Sequence, residues 1–264
     1  MNIFRSIPAF LKVYFSIRDY LNFASKRVDE AWTEDNHEEA LRVIHEGENR
    51  FCERIRTKLN IKANVIGEEN IPESGPYLIM GNHQGYADIF AVLDGIRNTQ
   101  IGFIAKKEFM KLKPLATAIH YTGSVFINRG DARDAIKTVR ETTDRFKKGY
   151  TMCIFPEGTR SHSNAMRHFK PGSFKFAQKA NVPILPISLV DSYKVFEEHG
   201  DFRAHDITMI IHPLYRYDQM DRAEQKKAPA EVEEIVRRGV EDYLKSQGRE
   251  MPPMIEDEHE SGEM

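Results

Sequence analysis

From Ile61 onward the chain alternates short apolar runs with stretches of helical period, and this rhythm restricts the fold more than any other feature of the sequence. Apolar runs at 63–66, 77–80, 101–104, 124–127, 150–155, 184–190 and 207–211 have strand length, too short for core helices. Helical patterns fill 88–97, 108–120, 131–148, 171–179 and 229–246. The last carries Val232, Ile235, Val236, Val240 and Tyr243 at helical spacing. Such alternation predicts an α/β domain whose sheet is flanked by helices. Within 182–188, Pro183 and Pro186 punctuate a strand, which predicts an edge or irregular position because proline donates no ladder bond.

The first sixty residues follow another pattern. In 1–23, Phe4, Ile7, Leu11, Tyr14, Phe15 and Leu21 fall on one side of a helix, and Arg5, Lys12, Ser16 and Asp19 on the other. Arg18 alone projects into the apolar arc, where it must snorkel or find a partner. Aromatics and cations on an amphipathic helix suit a membrane interface, although packing on the domain's own core would use the same stripe. A secretory leader fits less well, since Lys12 breaks the apolar run and no clean small-residue cleavage site follows. A second helix is expected over 36–59, with Leu41, Ile44, Phe51 and Ile55 as its stripe and acidic residues in its first turn. The organisation expected is therefore an N-terminal two-helix amphipathic appendage over 1–60, one α/β domain over 61–248, and an acidic disordered tail over 249–264.

Composition narrows the function. Mean hydropathy is −0.53 and no apolar run reaches about 18 residues, so no conventional membrane span is expected. Two widely separated cysteines, Cys52 and Cys153, argue against a disulfide scaffold or a cysteine zinc cluster and make a reducing compartment the default. The net charge of −2 hides a segregation: residues 101–180 hold 16 Lys+Arg against 6 Asp+Glu, and 249–264 hold 1 against 6. The middle of the chain could thus receive an anion. Its cations are spread over loops and one mixed-charge helix, which does not form the basic stripe that a nucleic acid needs.

Four segments could do chemistry. The first, Gly81-Asn82-His83-Gln84-Gly85-Tyr86-Ala87-Asp88, follows an apolar strand and opens a helix. Asp88 could fold back to fix the imidazole tautomer of His83 and leave a general base, or could merely cap its helix. No further ligand-like cluster stands nearby to suggest a metal. The second, Phe155-Pro156-Glu157-Gly158-Thr159-Arg160-Ser161, contains Gly158, which permits unusual backbone angles or close approach of a ligand, and Arg160, which could fork onto a phosphate. Alternatively, Glu157 and Arg160 satisfy each other. The third delivers Arg129 from a strand at 124–127, and the fourth is the proline-punctuated 182–188. Lys106, at another strand end, is either an extra phosphate contact or a solvated residue at a helix start.

In this order and spacing the four segments resemble the glycerophospholipid acyltransferase family, typified by 1-acyl-sn-glycerol-3-phosphate acyltransferases. That family carries a His-x4-Asp block, an Arg-bearing block, Phe-Pro-Glu-Gly-Thr-Arg-Ser and Val-Pro-Ile-x-Pro. The likeness runs from about Val65 to Pro213 and includes Phe169-Lys170-Pro171-Gly172. One departure is Gly85, where the first block usually has serine in Asn-His-x-Ser. The resemblance implies that His83, oriented by Asp88, takes a proton from a glycerol hydroxyl attacking an acyl thioester, with no acyl-enzyme. It also implies that Arg129, Glu157, Gly158 and Arg160 bind the glycerol phosphate, with Lys106 as a further contact. The expected acceptor is lysophosphatidate; another lysophospholipid, or a non-catalytic lipid-binding protein of the same fold, are the alternatives. No metal and no cofactor are expected, acyl-CoA or acyl-carrier protein being a co-substrate. The expected place is peripheral, on anionic lipid at the cytoplasmic face of a membrane, without nucleic acid.

Overall fold

The computed structural model describes residues 3–128 and 130–256. Seven strands form one sheet among them: β1 (Ala63–Ile66), β2 (Leu78–Gly81), β3 (Ile101–Lys106), β4 (Val125–Ile127), β5 (Thr151–Ile154), β6 (Ile184–Val190) and β7 (Ile207–Ile211), in the order β1-β7-β6-β2-β5-β3-β4. Neighbours run parallel except β6 and β7, which are antiparallel. Parallel pairing gathers the C-terminal ends of β2, β3, β4, β5 and β6 at one edge of the sheet, and the segments that carry His83 and Glu157 leave from that edge.

The helices are α1 (Ile3–Thr33), α2 (His37–Leu59), α3 (Ala87–Gly95), α4 (Lys113–Tyr121), α5 (Ala132–Lys147), α6 (Lys175–Ala180) and α7 (Arg222–Ser246). The pattern read as one helix over 108–120 divides into a tight turn at Lys107–Lys111 and α4, with Pro114 seated in the first turn where its missing N–H costs nothing. At its start α7 is longer than its apolar pattern. Asp221 accepts from the Ala223 and Glu224 amides at 2.7 and 2.9 Å, and Glu224 accepts from the Asp221 amide at 2.8 Å. This capping box starts the helix at Arg222, so that Pro229 lies inside it.

Two apolar layers cover the sheet, and the strands divide between them with period two. Leu78, Met80, Met152 and Ile154 enter one layer, while Ile79, Cys153, Leu185 and Ile187 enter the other. The two N-terminal helices contribute to both: Tyr20, Val28, Val43 and Ile44 to the first, Ala9, Cys52, Ile55 and Leu59 to the second. They are packed into the domain that they precede.

Two local expectations need correction. β6 is an interior strand despite Pro186. On the side facing β7, Ile184 exchanges backbone bonds with Tyr215, and the Pro186 carbonyl accepts from the His212 amide. The ladder proper begins only at Ile187, so the missing proline donor falls where the neighbouring chain turns away through Pro213. Residues 249–256, expected to be a disordered tail, are docked. Arg249 binds Asp191 through two bonds of 2.6 and 2.7 Å, and the Ile255 amide donates to the Met166 carbonyl at 2.8 Å. The rest of that segment, 257–264, lies outside the described residues.

Asp94 ties three elements together. Its fully buried carboxylate accepts from the Ala63 amide and from Arg56 Nε, each at 3.0 Å, joining α3 to β1 and α2. Asp94→Ala should therefore destabilise the fold by about 2 kcal/mol, since it strands a buried N–H and unpairs a half-exposed arginine. Thermal melting checks this; an unchanged midpoint would show that the carboxylate holds nothing.

Candidate active site

The site begins where β2 stops. Its ladder with β6 ends at Gly81 and Ile187, and the backbone then leaves the sheet. The buried Asn82 side chain continues the pairing: its Nδ2 donates to the Leu189 carbonyl at 2.8 Å and its Oδ1 accepts from the Leu189 amide at 2.7 Å. An amide side chain thus replaces one rung of sheet and fixes the point at which the loop lifts away.

Asp88, the second residue of α3, folds back under that loop. It is wholly buried, so its charge must be met by donors. Its Oδ2 accepts from His83 Nδ1 at 2.6 Å and from the Gln84 and Gly85 amides at 2.7 and 3.0 Å, while Oδ1 accepts from the Ser192 hydroxyl. This is more than a cap: a carboxylate cannot donate, so the proton on the imidazole sits on Nδ1 and Nε2 is left with its lone pair. The ring lies flat on Phe155, centroids 4.3 Å apart and planes within 9°. The imidazole is therefore held by an edge bond and a face contact. Gln84 adds a second tie, accepting from the Ser192 amide at 3.0 Å and donating to the Leu189 carbonyl at 2.7 Å.

The loop after β5 is strapped alongside. Gly158 adopts φ of +82°, the left-handed conformation for which a glycine was expected there. Beyond it, the Ser161 amide donates to the His83 carbonyl at 2.8 Å and the His162 amide to the Gln84 carbonyl at 3.1 Å. Glu157, expected to help bind the acceptor's phosphate, joins the two loops. It is buried, and its two oxygens accept from the His83 and Arg167 amides at 2.7 and 2.8 Å, fastening the two loops together. Burial pushes its carboxyl up to about 8 against the pull of those two bonds, with the Asp88 charge adding to the rise.

Arg160 sits on the same strap, a quarter exposed. Its guanidinium lies 3.8 Å from the centroid of the Tyr86 ring, and Nη1 donates to Glu197 Oε1 at 2.9 Å. Its ion-pair partner is thus Glu197 rather than Glu157. Lys106 is the exposed last residue of β3, at the same sheet edge as His83 but separated from β2 by β5. Arg129 lies outside the described residues. Two residues of the site carry no signal in the sequence: Ser192 and Glu197 stand more than a hundred positions from the groups that they bind beside His83; Phe155 lies in a quoted segment, but its stacking on the imidazole is not legible there.

Residues 62–190 match the family model described as Acyltransferase. The chain is 32% identical over 183 residues to a 1-acyl-sn-glycerol-3-phosphate acyltransferase of Chlamydomonas reinhardtii, covering 66% of this chain and 54% of that protein. It is 33% identical over 143 residues to the human alpha enzyme of the same name, with coverages of 54% and 50%. The chain spans about half the length of these curated relatives. Among solved structures, the 1-acyl-sn-glycerophosphate (LPA) acyltransferase PlsC of Thermotoga maritima is similar with a TM-score of 0.71 and 28% identity, covering 92% of this chain and 98% of that one.

The raised carboxyl of Glu157 gives a pH signature. Its folded pKa of about 8 lies above the unfolded value, so the folded state holds the proton more tightly. The stability it contributes is full below about 4.5 and is lost as pH rises through about 8. Glu157→Gln removes this dependence and also one loop tie, because an amide nitrogen cannot accept an N–H bond. The difference in Tm between the native protein and the variant should shrink as pH rises from about 5 to about 8. A difference that stays constant over that range would show that Glu157 is ionised throughout.

Proposed function

We propose that this chain, a member of the acyltransferase family through residues 62–190, moves an acyl group from an acyl thioester to the free glycerol hydroxyl of lysophosphatidate, producing phosphatidate. The observation that carries this reading is the 2.6 Å bond between His83 Nδ1 and a buried Asp88, which in the neutral imidazole puts the proton on Nδ1 and the lone pair on Nε2, with an arginine on the adjoining loop. In the reaction the acceptor hydroxyl gives its proton to Nε2 as its oxygen bonds to the thioester carbon. The carbon–sulfur bond then breaks, and the departing thiolate recovers the proton from the imidazolium. Asp88 holds the ring and balances the transient positive charge without itself becoming protonated. Arg160 receives the acceptor's phosphate, and the His83 carbonyl bonded to the Ser161 amide fixes the separation between base and cation.

His83→Ala should lower turnover by about 10²–10⁴-fold, the usual worth of a positioned general base, with the fold intact. Asp88→Asn should fall in the same direction, because an amide disturbs the tautomer. Near-normal turnover in folded His83→Ala protein would end the mechanism.

The same reading requires contact with lipid, and α1 supplies a surface for it. The inward side of its first half is small or polar, with Ser6, Ala9 and Ser16 buried, whereas Ile7, Phe10, Leu11, Tyr14 and Phe15 face out, each two-fifths to one-half exposed. Among the described residues no helix is long and apolar enough to cross a membrane. The outward face therefore rests in the interface, with Lys26 and Arg27 farther along the helix adding salt-sensitive attraction to anionic headgroups. The two free, buried thiols of Cys52 and Cys153 suit the cytoplasmic side of that membrane. Changing Phe10, Leu11 and Phe15 together to serine should weaken binding to anionic vesicles by more than about a hundredfold, mostly in the salt-resistant part. Undiminished co-sedimentation at high salt would place the anchor elsewhere.

A further inference from the structure

The serine expected two places after His83 is a glycine here, and the space it leaves is occupied. A Cβ added at Gly85 would lie 2.3 Å from Glu197 Oε2 and 2.7 Å from its Cδ. A side chain at position 85 therefore requires the Glu197 carboxylate to move from its place. The Glu197 side chain is only 4% exposed. Its Oε1 accepts from the Tyr86 amide at 2.8 Å and from Arg160 Nη1 at 2.9 Å, while Oε2 is buried without a partner. One carboxylate thus reaches the His83 loop, through the Tyr86 backbone, and the cation on the neighbouring strap. Tyr86 supplies the second restraint, placing its ring against the guanidinium face. Among the described residues only Nη1 of Arg160 is hydrogen-bonded, which leaves Nη2 and Nε for a planar fork onto an anion. Phe196, just before Glu197, meets Phe10 of α1 and Tyr86 edge-on at 5.6 and 6.2 Å, so the carboxylate is carried on a segment anchored to the lipid-facing helix.

We propose that Glu197 is a positioning residue for Arg160: its carboxylate fills the place left open at Gly85 and fixes the guanidinium in the orientation that receives the acceptor's phosphate. The proposal rests on Arg160 being the phosphate ligand, and a double-mutant cycle separates the two ideas. Initial rates are measured with short-chain lysophosphatidate and acyl-CoA for the native protein, Glu197→Gln, Arg160→Ala and the combination. Glu197→Gln is preferred because it keeps the volume while losing the charge. It should raise the acceptor KM about tenfold, leave the acyl-CoA KM unchanged, and have no further effect once Arg160 is alanine. A second pair keeps the idea testable should the glutamine variant fold poorly: Gly85→Ser, which displaces the carboxylate, should raise the acceptor KM, and adding Glu197→Ala should cause little further loss. An unchanged acceptor KM in Glu197→Gln, an equal effect with and without Arg160, or fully additive losses in the second pair overturns the role of Glu197. An unchanged acceptor KM in Arg160→Ala overturns the phosphate assignment itself, whatever the Glu197 variants do.

Discussion

A fully buried carboxylate is the constraint on which the site depends. Asp88 has no water to solvate it, so it is stable only if protein donors surround it, and four do. Two of these are amides of the loop that carries His83, which forces the loop to curl over the helix start. A third comes from Ser192, just beyond β6, which ties the loop to the sheet. The fourth is the imidazole itself. Orientation of the base is thus a by-product of satisfying one charge. Glu157 grips the same loop from the other side, through the His83 amide, but has only two donors and feels the Asp88 charge. Burial with only those two bonds raises the Glu157 carboxyl, and the neighbouring charge adds to the rise.

The first half of α1 inverts the usual rule for a surface helix. Its inward side holds Ser6, Ala9 and Ser16 beside a half-buried Val13, while Ile7, Phe10, Leu11, Tyr14 and Phe15 stay two-fifths to one-half exposed. Small inward residues let the helix lie close against its neighbours, and polar ones find bonds there: the Ser6 hydroxyl accepts from the Phe202 amide at 2.7 Å. Burying the outward face against the protein was available in principle and was not taken, which is the pattern expected where the surrounding solvent is partly hydrocarbon. The second half of α1 returns to the ordinary arrangement, with Tyr20, Ala24, Val28 and Ala31 inward. The change occurs within one helix, at about the level where Arg18 and Asp19 meet water.

Much of this was legible in the sequence because strand length and helical period are local properties. β1, β6 and β7 fall on their expected residues, and the His83–Asp88 pairing is one of the two arrangements that a five-residue loop allows, the other being a plain helix cap. What was not legible is long-range. Nothing near Pro186 shows that a neighbouring chain will turn away opposite it, so the strand reads as edge or irregular, and it proves central with an irregular start to its pairing. Amphipathicity marked α1 but could not say which face looks inward, since Ser16 reads as solvent-facing and is buried. Ser192 and Glu197 are ordinary residues in a polar stretch, given meaning only by a fold that brings β6 beside β2. Residues 249–256 looked featureless because Arg249 finds its partner 58 positions away.

Charge is resolved in the same way. The cationic surplus of residues 101–180 is not one field awaiting a polyanion. Lys107 pairs with Asp134, Lys137 with Glu141 and Lys147 with Asp144, exposed contacts of 3.3–3.6 Å that contribute at most about 1 kcal/mol each. Arg145 lies over the Trp32 and Tyr150 rings. Arg160 differs because its partner is buried and shared with the backbone. Pairing with Glu197 cancels much of its attraction for anions at large, so a simple counter-ion gains little by approaching. It also removes rotamer freedom that a free arginine would lose on binding, on the order of 2 kcal/mol. The arrangement exchanges non-specific pull for orientation: an anion is rewarded only if it presents two oxygens to the remaining N–H groups while the rest of the molecule sits within reach of His83. A phosphate carried on a glycerol backbone meets both conditions, whereas a free anion meets only the first.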